Sequence, residues 1–268
     1  MRLGFGAAKL TGPGVWGPPA DPDHAVALLR RAADLGINLF DTADTYGPFV
    51  SEELIRRALY PYPDLIVATK GGCVRTGPDQ WATLGDPAYL RQSCEMSLRR
   101  LGLETIDLYQ LHEVDPRLPF EDQVGVLIDL RREGKIRHIG LSAVTIDQLD
   151  RARAMVEIVT VQGEFNLLQR TTEPVMHYCM DHGLGFIPFF PLADGRLARA
   201  GGRLEALARS LGATTAQLAL AWLLHLSPSV LPIPGSATMA ELEENVRAAA
   251  LMLSDVIVAE LSAGAALI

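Results

Sequence analysis

The sequence predicts a (β/α)8 TIM barrel that forms a single domain over residues 1–268. Short apolar runs recur along the chain, and each is followed by a stretch with helical periodicity. Apolar runs that lack polar alternation are typical of parallel strands that are buried on both faces. Eight such units in about 250 residues match the size of one barrel. In addition, no Ser/Gly-rich linker or low-complexity tract divides the chain.

Eight strands and eight helices alternate in the predicted barrel. The strands lie at residues 3–7, 37–40, 65–68, 106–111, 138–141, 158–161, 184–189 and 230–233. The helices lie at residues 24–35, 51–59, 87–101, 120–132, 145–153, 173–182, 214–226 and 239–250, and an extra helix is predicted at 203–211 in the seventh loop. Several helix ends carry capping residues, since Asp21 and Asp86 precede two helices and Gly36, Gly102 and Gly134 follow three.

An open, doubly wound sheet is the alternative architecture. It would favour a glycine-rich phosphate-binding turn between an early strand and its helix. In this chain Gly4, Phe5 and Gly6 lie inside the first predicted strand, and no G-x-G-x-x-G motif precedes a helix. The pattern therefore favours the barrel.

Composition limits the classes of partner. The chain has 24 basic and 32 acidic residues, a net charge of −8, and no Lys/Arg run, so neither nucleic acid nor an anionic membrane is an expected partner. Cys73, Cys94 and Cys179 show no C-x-x-C spacing, which argues against disulfides and against a zinc site, and no metal is predicted. Without a recognisable signal peptide, these cysteines fit the reducing cytoplasm.

Four polar side chains follow three consecutive predicted strands. Asp41 and Tyr46 follow the second strand, Lys70 the third and His112 the fourth. Barrel enzymes place their chemistry at the carboxyl ends of the strands, so these side chains are expected to meet. An ammonium group beside a phenol favours its ionisation, and Asp41 could balance the charge of Lys70. Such a group could protonate a developing alkoxide, as carbonyl reduction requires.

Each of these residues also has a structural explanation when it is considered alone. Asp41 could be a helix cap and Tyr46 a packing residue, whereas Lys70 at the end of an apolar strand is costly without a purpose. Perturbed ionisable groups tend to cluster in functional sites, and this favours the functional interpretation of the set.

Several spaced motifs resemble those of the aldo-keto reductase superfamily, and the likeness covers nearly the whole chain. The motifs lie at residues 38–47, 68–71, 107–112, 134–142, 161–166 and 242–245. Residues 10–19 and 188–192 are most similar to a bacterial branch that includes pyridoxal reductases.

This resemblance implies roles for individual residues. Tyr46 would be the general acid, with Asp41 and Lys70 tuning it and His112 orienting the substrate. The implied cofactor is NADP(H) or NAD(H), held at the nicotinamide end by Ser142, Gln162 and Phe189, along the pyrophosphate and ribose by Gly6, Ala7, Pro191, Leu192 and Ala193, and at the adenosine end by Gly235, Ser236, Glu244 and Asn245.

The chain departs from the family pattern at several positions. Ala143 stands where the family usually has Asn, and Phe189 where Tyr is common. Gly235 and Glu241 stand where many relatives carry basic residues, which predicts weakened selectivity for NADP(H) and use of NADH. The chain is short for the family, with little expected after the last helix, so Trp16 and Trp81 are expected to form the walls of the substrate pocket.

The expected function is the reduction of an aldehyde or ketone to an alcohol, or the reverse reaction, by hydride transfer. Two alternatives remain open at this point. One is a regulatory protein that binds the nucleotide with little turnover, and the other is a lyase or epimerase that uses Tyr46 and Lys70 as acid and base. Neither the small-molecule substrate nor the oligomeric state follows from the sequence, because barrel-mouth loops set specificity.

Overall fold

In the computed structural model, which describes residues 2–263, seven parallel strands lie side by side in chain order and form most of a barrel. The strands are β1 (Phe5–Gly6), β2 (Leu39–Asp41), β3 (Ile66–Gly71), β6 (Ile106–Leu111), β7 (Ile136–Ser142), β8 (Thr160–Glu164) and β9 (Gly185–Phe189). An antiparallel hairpin of β4 (Cys73–Gly77) and β5 (Gln80–Thr83) follows β3. The predicted (β/α)8 barrel is confirmed, while the predicted domain of residues 1–268 extends beyond the described residues at both ends.

The eighth predicted strand, at residues 230–233, closes the barrel without forming a regular ladder. Leu231 donates a backbone hydrogen bond to Phe186 of β9 at 2.9 Å, and Gly4 donates to Pro232 from the other side at 3.0 Å. Pro232 and Pro234 have no N–H group, so toward β1 they can only accept hydrogen bonds. The hydrogen bonds between this segment and β1 are therefore too few to form a continuous strand.

Ten helices cover the outside of the barrel in the described part of the chain. They are α1 (Pro22–Asp34), α2 (Val50–Leu59), α3 (Pro87–Leu101), α4 (Phe120–Arg132), α5 (Ile146–Met155), α6 (Glu173–Asp181), α7 (Gly202–Ser210), α8 (Thr215–Leu226), α9 (Met239–Arg247) and α10 (Asp255–Ser262). The predicted caps are present, since Asp21 accepts a hydrogen bond from the backbone of His24 and Gly102 has φ 72°. No helix between residues 2 and 263 has the length and apolarity to cross a membrane.

The C-terminal end of the described chain differs from the prediction in two helices, α9 and α10. The helix predicted at 239–250 ends as an α-helix at Arg247 and continues as a single 3-10 turn. Helix α10 then follows, so the expectation that little follows the last predicted helix was wrong. Its end packs on α8, where the indole Nε1 of Trp222 donates to Ser262 Oγ at 3.0 Å. Ser254, which caps α10, was the available sequence signal.

The lumen of the barrel has an apolar layer beneath a polar one. Ala68 of β3 and Leu108 of β6 pack with Ile187 of β9 inside the sheet. Lys70 and Gln110 lie two residues further along the same strands, and a period of two puts their side chains on the same inner face. The polar layer therefore lies at the carboxyl end of the barrel.

Candidate active site

A buried ion pair links β2 and β3 at this end of the barrel. Lys70 Nζ lies 2.5 Å from Asp41 Oδ1, and both side chains are almost fully buried. Lys70 Nζ also donates to the backbone oxygen of Thr42 at 2.9 Å. Burial lowers the pKa of the Lys70 ammonium, but the adjacent Asp41 carboxylate raises it, and the pKa lies above its usual value. Lys70 is therefore cationic at neutral pH.

The second carboxylate oxygen of Asp41 accepts hydrogen bonds from two glutamines. Gln110 Nε2 donates from β6 at 3.2 Å, and Gln162 Nε2 donates from β8. Gln162 was predicted as a cofactor-binding residue, whereas Gln110 was not predicted as part of the site. The available signal for Gln110 was a polar residue near the end of a predicted strand, two positions before His112. The two amides and Lys70 together hold the Asp41 carboxylate in one position.

The phenol of Tyr46 lies next to the ion pair. Its hydroxyl is 3.5 Å from Lys70 Nζ, which is also 5.2 Å from the centroid of the Tyr46 ring. Burial raises the pKa of Tyr46 above its usual value, and the opposing effect of the Lys70 charge is smaller. The Lys70 charge by itself, which is all that the sequence predicted, would lower this pKa. Because the effect of burial is larger, Tyr46 is protonated at neutral pH, which is the state required of an acid.

His112 is held beside Tyr46 and is electrically neutral. Its backbone N–H donates to Gly71 at 2.8 Å, and its Nδ1 lies 3.4 Å from the hydroxyl oxygen of Thr45. Burial, followed by the charges of Lys70 and Arg75, holds the pKa of His112 well below 6.5. Thr45 was not predicted as a site residue, although it lies next to Tyr46 in the motif.

Three rings meet edge to face at the mouth of the barrel. The ring of Trp81, on β5, lies 6.3 Å from that of Tyr46 and 6.1 Å from that of His112, at steep angles. The Tyr46 and His112 rings are 5.9 Å apart. Trp81 is 43% exposed, so much of its indole is available to a ligand. The predicted wall at Trp81 is thus close to the reactive groups.

A cleft of about 680 Å³ runs from these rings across the barrel mouth. Most of the predicted site residues line it: Asp41, Tyr46, Lys70, Trp81, His112, Gly6, Ala7, Ser142, Gln162, Phe189, Pro191, Leu192, Ala193 and Gly235. Several charged residues that were not predicted also line it, namely Lys9, Asp79, Glu113, Glu164, Asp194 and Arg196.

Four predicted residues lie outside the cleft lining. Trp16 is partly buried beside it, and Val15 of the same loop lines the cleft instead. Asn245 Nδ2 donates to Ser236 Oγ at 3.1 Å, and both side chains are buried. Glu244 contributes its backbone oxygen to Gln217 Nε2 at 3.1 Å. The roles of Ser236, Glu244 and Asn245 at the adenosine end therefore stay predictions.

Glu241 lies in the first turn of α9, which Thr238 caps. Its carboxylate accepts a hydrogen bond from the backbone N–H of Ala237 at 2.7 Å, while its own N–H donates to Thr238 Oγ1 at 3.2 Å. A helix N-terminus attracts anions, and here a side-chain anion already lies against it.

The cleft has the groups that a nicotinamide nucleotide requires. The Ser142 hydroxyl and the Gln162 amide can hydrogen-bond a carboxamide, and Phe189 can supply an aromatic face. Ala193 and Asp194 have left-handed φ angles of 49° and 53°, which turn the backbone of this loop along the cleft. Ala143 also has a positive φ, 55°, a conformation in which Asn is favoured over Ala.

The chain belongs to the Aldo/keto reductase family, whose sequence profile matches residues 2–264. It is 50% identical over 260 residues to an uncharacterized oxidoreductase of Schizosaccharomyces pombe, with 97% of this chain and 85% of that protein covered. It is 42% identical over 267 residues to the pyridoxine 4-dehydrogenase of Escherichia coli, with 97% and 93% covered. The likeness to the bacterial branch is thus confirmed, and it extends to a yeast relative.

Solved structures of the family have the same fold. A glycerol dehydrogenase from Gluconobacter oxydans superposes with a TM-score of 0.88 at 29% identity, covering 98% of this chain and 90% of that one. An aldo-keto reductase from Klebsiella pneumoniae in complex with NADPH has a TM-score of 0.82 at 27% identity, with 98% and 90% covered. The chain is therefore an NAD(P)H-dependent oxidoreductase that acts on small-molecule carbonyl compounds, as the sequence predicted.

Proposed function

We propose that Tyr46 is the general acid that protonates the substrate oxygen during carbonyl reduction and the general base in the reverse reaction. The observation that supports this role is the position of Lys70 Nζ, which contacts both the Asp41 carboxylate and the Tyr46 hydroxyl. When the phenol gives up its proton, the adjacent ammonium stabilises the phenolate that remains. The aldo-keto reductase membership of the chain supports the same assignment.

His112 orients the carbonyl oxygen in this proposal. The hydroxyl of Thr45 faces Nδ1, and if it donates there the imidazole proton is left on Nε2. A neutral imidazole with a proton on Nε2 can donate a hydrogen bond to the carbonyl oxygen without competing for the proton of Tyr46. The low pKa of His112 supports this neutral form at physiological pH.

A reduced nicotinamide nucleotide, when bound, supplies the hydride. Ser142 and Gln162 would hold its carboxamide and Phe189 would stack on its ring, at the end of the cleft that Tyr46 also lines. Gly6, Ala7 and residues 191–193 would hold the ribose and pyrophosphate, while Gly235, Ser236, Glu244 and Asn245 would hold the adenosine end. In each turnover the carbonyl gains one hydride and one proton, and solvent restores the proton of Tyr46.

The substrate we propose is a small aldehyde or ketone with a flat ring. Trp81 supplies a large, partly exposed aromatic surface next to Tyr46 and His112. The pyridoxine 4-dehydrogenase of E. coli, a relative at 42% identity, acts by name on a substituted pyridine. Trp16, half-buried in the loop of which Val15 lines the cleft, is a further part of the wall in this proposal. Nucleic acid is not a proposed partner, and the three buried free cysteines support a cytoplasmic location.

Absorbance at 340 nm tests this function. The protein is mixed with NADPH or NADH and with pyridoxal, pyridine-4-carbaldehyde or propanal. We expect aldehyde-dependent loss of absorbance and formation of the corresponding alcohol. Tight nucleotide binding without turnover of any aldehyde in the panel would contradict the proposal and favour a nucleotide-binding regulator.

A further inference from the structure

The hairpin β4–β5 contains an arginine, Arg75, whose guanidinium lies over the ring of Trp81, a residue of the cleft wall. Arg75 Cζ is 3.7 Å from the centroid of the Trp81 ring and 5.9 Å from that of Trp16. At such distances a guanidinium is attracted by the negative faces of both rings. Arg75 thus contacts the two tryptophans that the sequence predicted as pocket walls.

The same guanidinium donates hydrogen bonds to five backbone carbonyls. The acceptors are Val15 at 2.8 Å, Thr45 at 3.3 Å, Gly14 at 2.5 Å, Gly77 at 3.3 Å and Gln80 at 2.9 Å. They belong to three separate segments: the loop before α1, the loop that carries Tyr46, and the hairpin itself. A guanidinium has five N–H donors in a fixed planar fork, so this one side chain can satisfy all three segments together.

The two loops are joined to each other by backbone hydrogen bonds, from Gly17 N–H to Gly47 at 2.7 Å and from Gly47 N–H to Val15 at 3.2 Å, but the hairpin has fewer contacts of its own with them. The residues of β5 are exposed or only partly buried, and Trp81 packs by its edge on Tyr46 and His112. The turn of the hairpin adds one backbone contact, from Asp79 N–H to Gly14 at 3.0 Å. With so little apolar burial in β5, the position of the hairpin depends on polar contacts. Arg75 makes three of these contacts with the two loops, while Tyr89 and Arg117 hold the ends of the hairpin by donating to the carbonyls of Cys73 and Thr83.

We propose that Arg75 is a positioning residue that locks the hairpin, the loop at residues 14–15 and the Tyr46 loop into one rigid substrate wall, with Trp81 fixed against Tyr46 and His112. The inference rests on the proposed reductase function of the same cleft. Arg75 does not line the cleft, so it acts through Trp81 and Val15, which do. A substrate with a flat ring depends on this wall, whereas a very small aldehyde does not.

A lysine cannot take over this role. It has a single ammonium on a flexible stem, which cannot contact five carbonyls and stack on an indole at once. It does preserve the positive charge, which contributes to the low pKa of His112 after burial and Lys70. Arg75→Lys and Arg75→Met therefore separate the geometry of the side chain from its charge.

The test compares Arg75→Lys and Arg75→Met with the wild-type enzyme, using pyridine-4-carbaldehyde and propanal as substrates. Arg91→Met is the matched control, because Arg91 is a half-exposed arginine whose salt bridge joins it to Glu133 at 2.6 Å. We expect both Arg75 variants to raise KM for the aromatic aldehyde about tenfold, while kcat for propanal changes less than about threefold. The Kd of NADPH, measured by fluorescence of the bound nucleotide, should stay unchanged.

The effect of the positive charge of Arg75 is measured separately, from the pH profile of kcat/KM. Removing the positive charge in Arg75→Met should move the acidic limb of kcat/KM to higher pH, and Arg75→Lys should restore its position. A Lys variant with normal KM for the aromatic aldehyde would overturn the proposal, because only the charge would then matter. Equal losses of kcat/KM with both aldehydes would overturn it as well, because a defect in the substrate wall should affect only the aromatic aldehyde.

A double-mutant cycle with Trp81→Ala tests whether Arg75 acts through Trp81. We expect Arg75→Met to add little to the KM defect of Trp81→Ala, because the residue that it positions is already absent. Fully additive effects would contradict this. Arg75→Lys serves in the same cycle if Arg75→Met fails to fold.

Hydrogen exchange provides a readout that does not depend on activity. Amides of residues 73–83 should exchange faster in both Arg75 variants than in the wild type or in Arg91→Met, while amides of β2 and β3 keep their protection. Unchanged exchange in the hairpin would overturn the positioning role even if the enzyme is active. A wild-type protein inactive with every aldehyde would instead refute the proposed function and leave the hairpin result valid.

Discussion

The hydroxyl of Tyr46 lies 3.5 Å from the ammonium nitrogen of Lys70. The two residues come from different loops and strands, and the same ammonium is bound to Asp41 at 2.5 Å. The phenol therefore keeps its proton at neutral pH because it is buried, yet the group that stabilises its ionised form is already in contact. This combination suits a residue that donates a proton only when negative charge develops on the substrate.

Replacement of Tyr46 by Phe tests the general acid. We expect Tyr46→Phe to lower kcat by about 10²–10⁴, the usual contribution of general acid catalysis. The Kd of NADPH should barely change, because the phenol does not hold the nucleotide. Tyr60→Phe is the control, since Tyr60 is an exposed tyrosine outside the cleft lining. Turnover close to wild type in Tyr46→Phe would rule the assignment out.

Replacement of Lys70 by Met tests the ion pair. Lys70→Met removes the charge beside Tyr46 and leaves the Asp41 carboxylate buried without its cation. We expect loss of activity and a fall in the free energy of unfolding of about 3 kcal/mol. Adding Asp41→Asn should recover much of the stability and none of the activity. Lys135→Met, at a half-exposed pair with Glu95, is the control. An active Lys70→Met enzyme would show that the lysine is only structural.

The buried carboxyl of Asp44 predicts a pH dependence of stability. Burial raises its pKa to about 7, opposed by a hydrogen bond from Ser93. Its Oδ1 has no hydrogen-bond partner in the described residues. The folded state binds this proton more tightly than the unfolded chain, where the pKa is near 3.8, so the stabilisation is complete below pH 4 and is lost as pH rises through 7.

Urea unfolding of the wild type and Asp44→Asn at pH 5 and pH 8 measures this effect. The stability of the wild type relative to the variant should fall between the two pH values, by about 3 kcal/mol at most, because the proton is lost only as pH rises through 7. Asp64→Asn, at an exposed position, controls for the other carboxyl groups. A difference between wild type and Asp44→Asn that does not change with pH would show that Asp44 is ionised in the folded state.

Glu241 predicts a weakened preference for NADP(H). Its carboxylate lies against the Ala237 N–H at the start of α9, where it would repel a 2′-phosphate. We expect Glu241→Arg to lower the Kd of NADPH about tenfold or more and to leave that of NADH nearly unchanged. Glu243→Arg is the control, because Glu243 faces Arg31 on α1. A thousandfold wild-type preference for NADPH over NADH in kcat/KM would contradict this view of Glu241.

Local sequence patterns predicted the strands and most helices because burial and capping leave local signals. Residues 106–111 and 120–132 match their observed elements at both ends. The hairpin β4–β5 and helix α10 were missed. Polar and apolar residues are mixed in both strands of the hairpin, and only Cys73 and Gly77 are buried, so it shows no apolar run. The eighth strand was predicted at its correct place in the chain, but Pro232 and Pro234 prevent a regular ladder.

By itself, the sequence determined the order of the barrel strands and the meeting of Asp41, Tyr46, Lys70 and His112, because parallel strands end at the same edge of a barrel. Only the tertiary structure decided which effect sets the pKa of Tyr46 and which segments Arg75 holds together. The pKa of Tyr46 depends on how completely the folded chain excludes water, and the role of Arg75 depends on carbonyls about 60 and 30 residues earlier in the chain. Neither desolvation nor distance between remote segments is encoded in a local pattern.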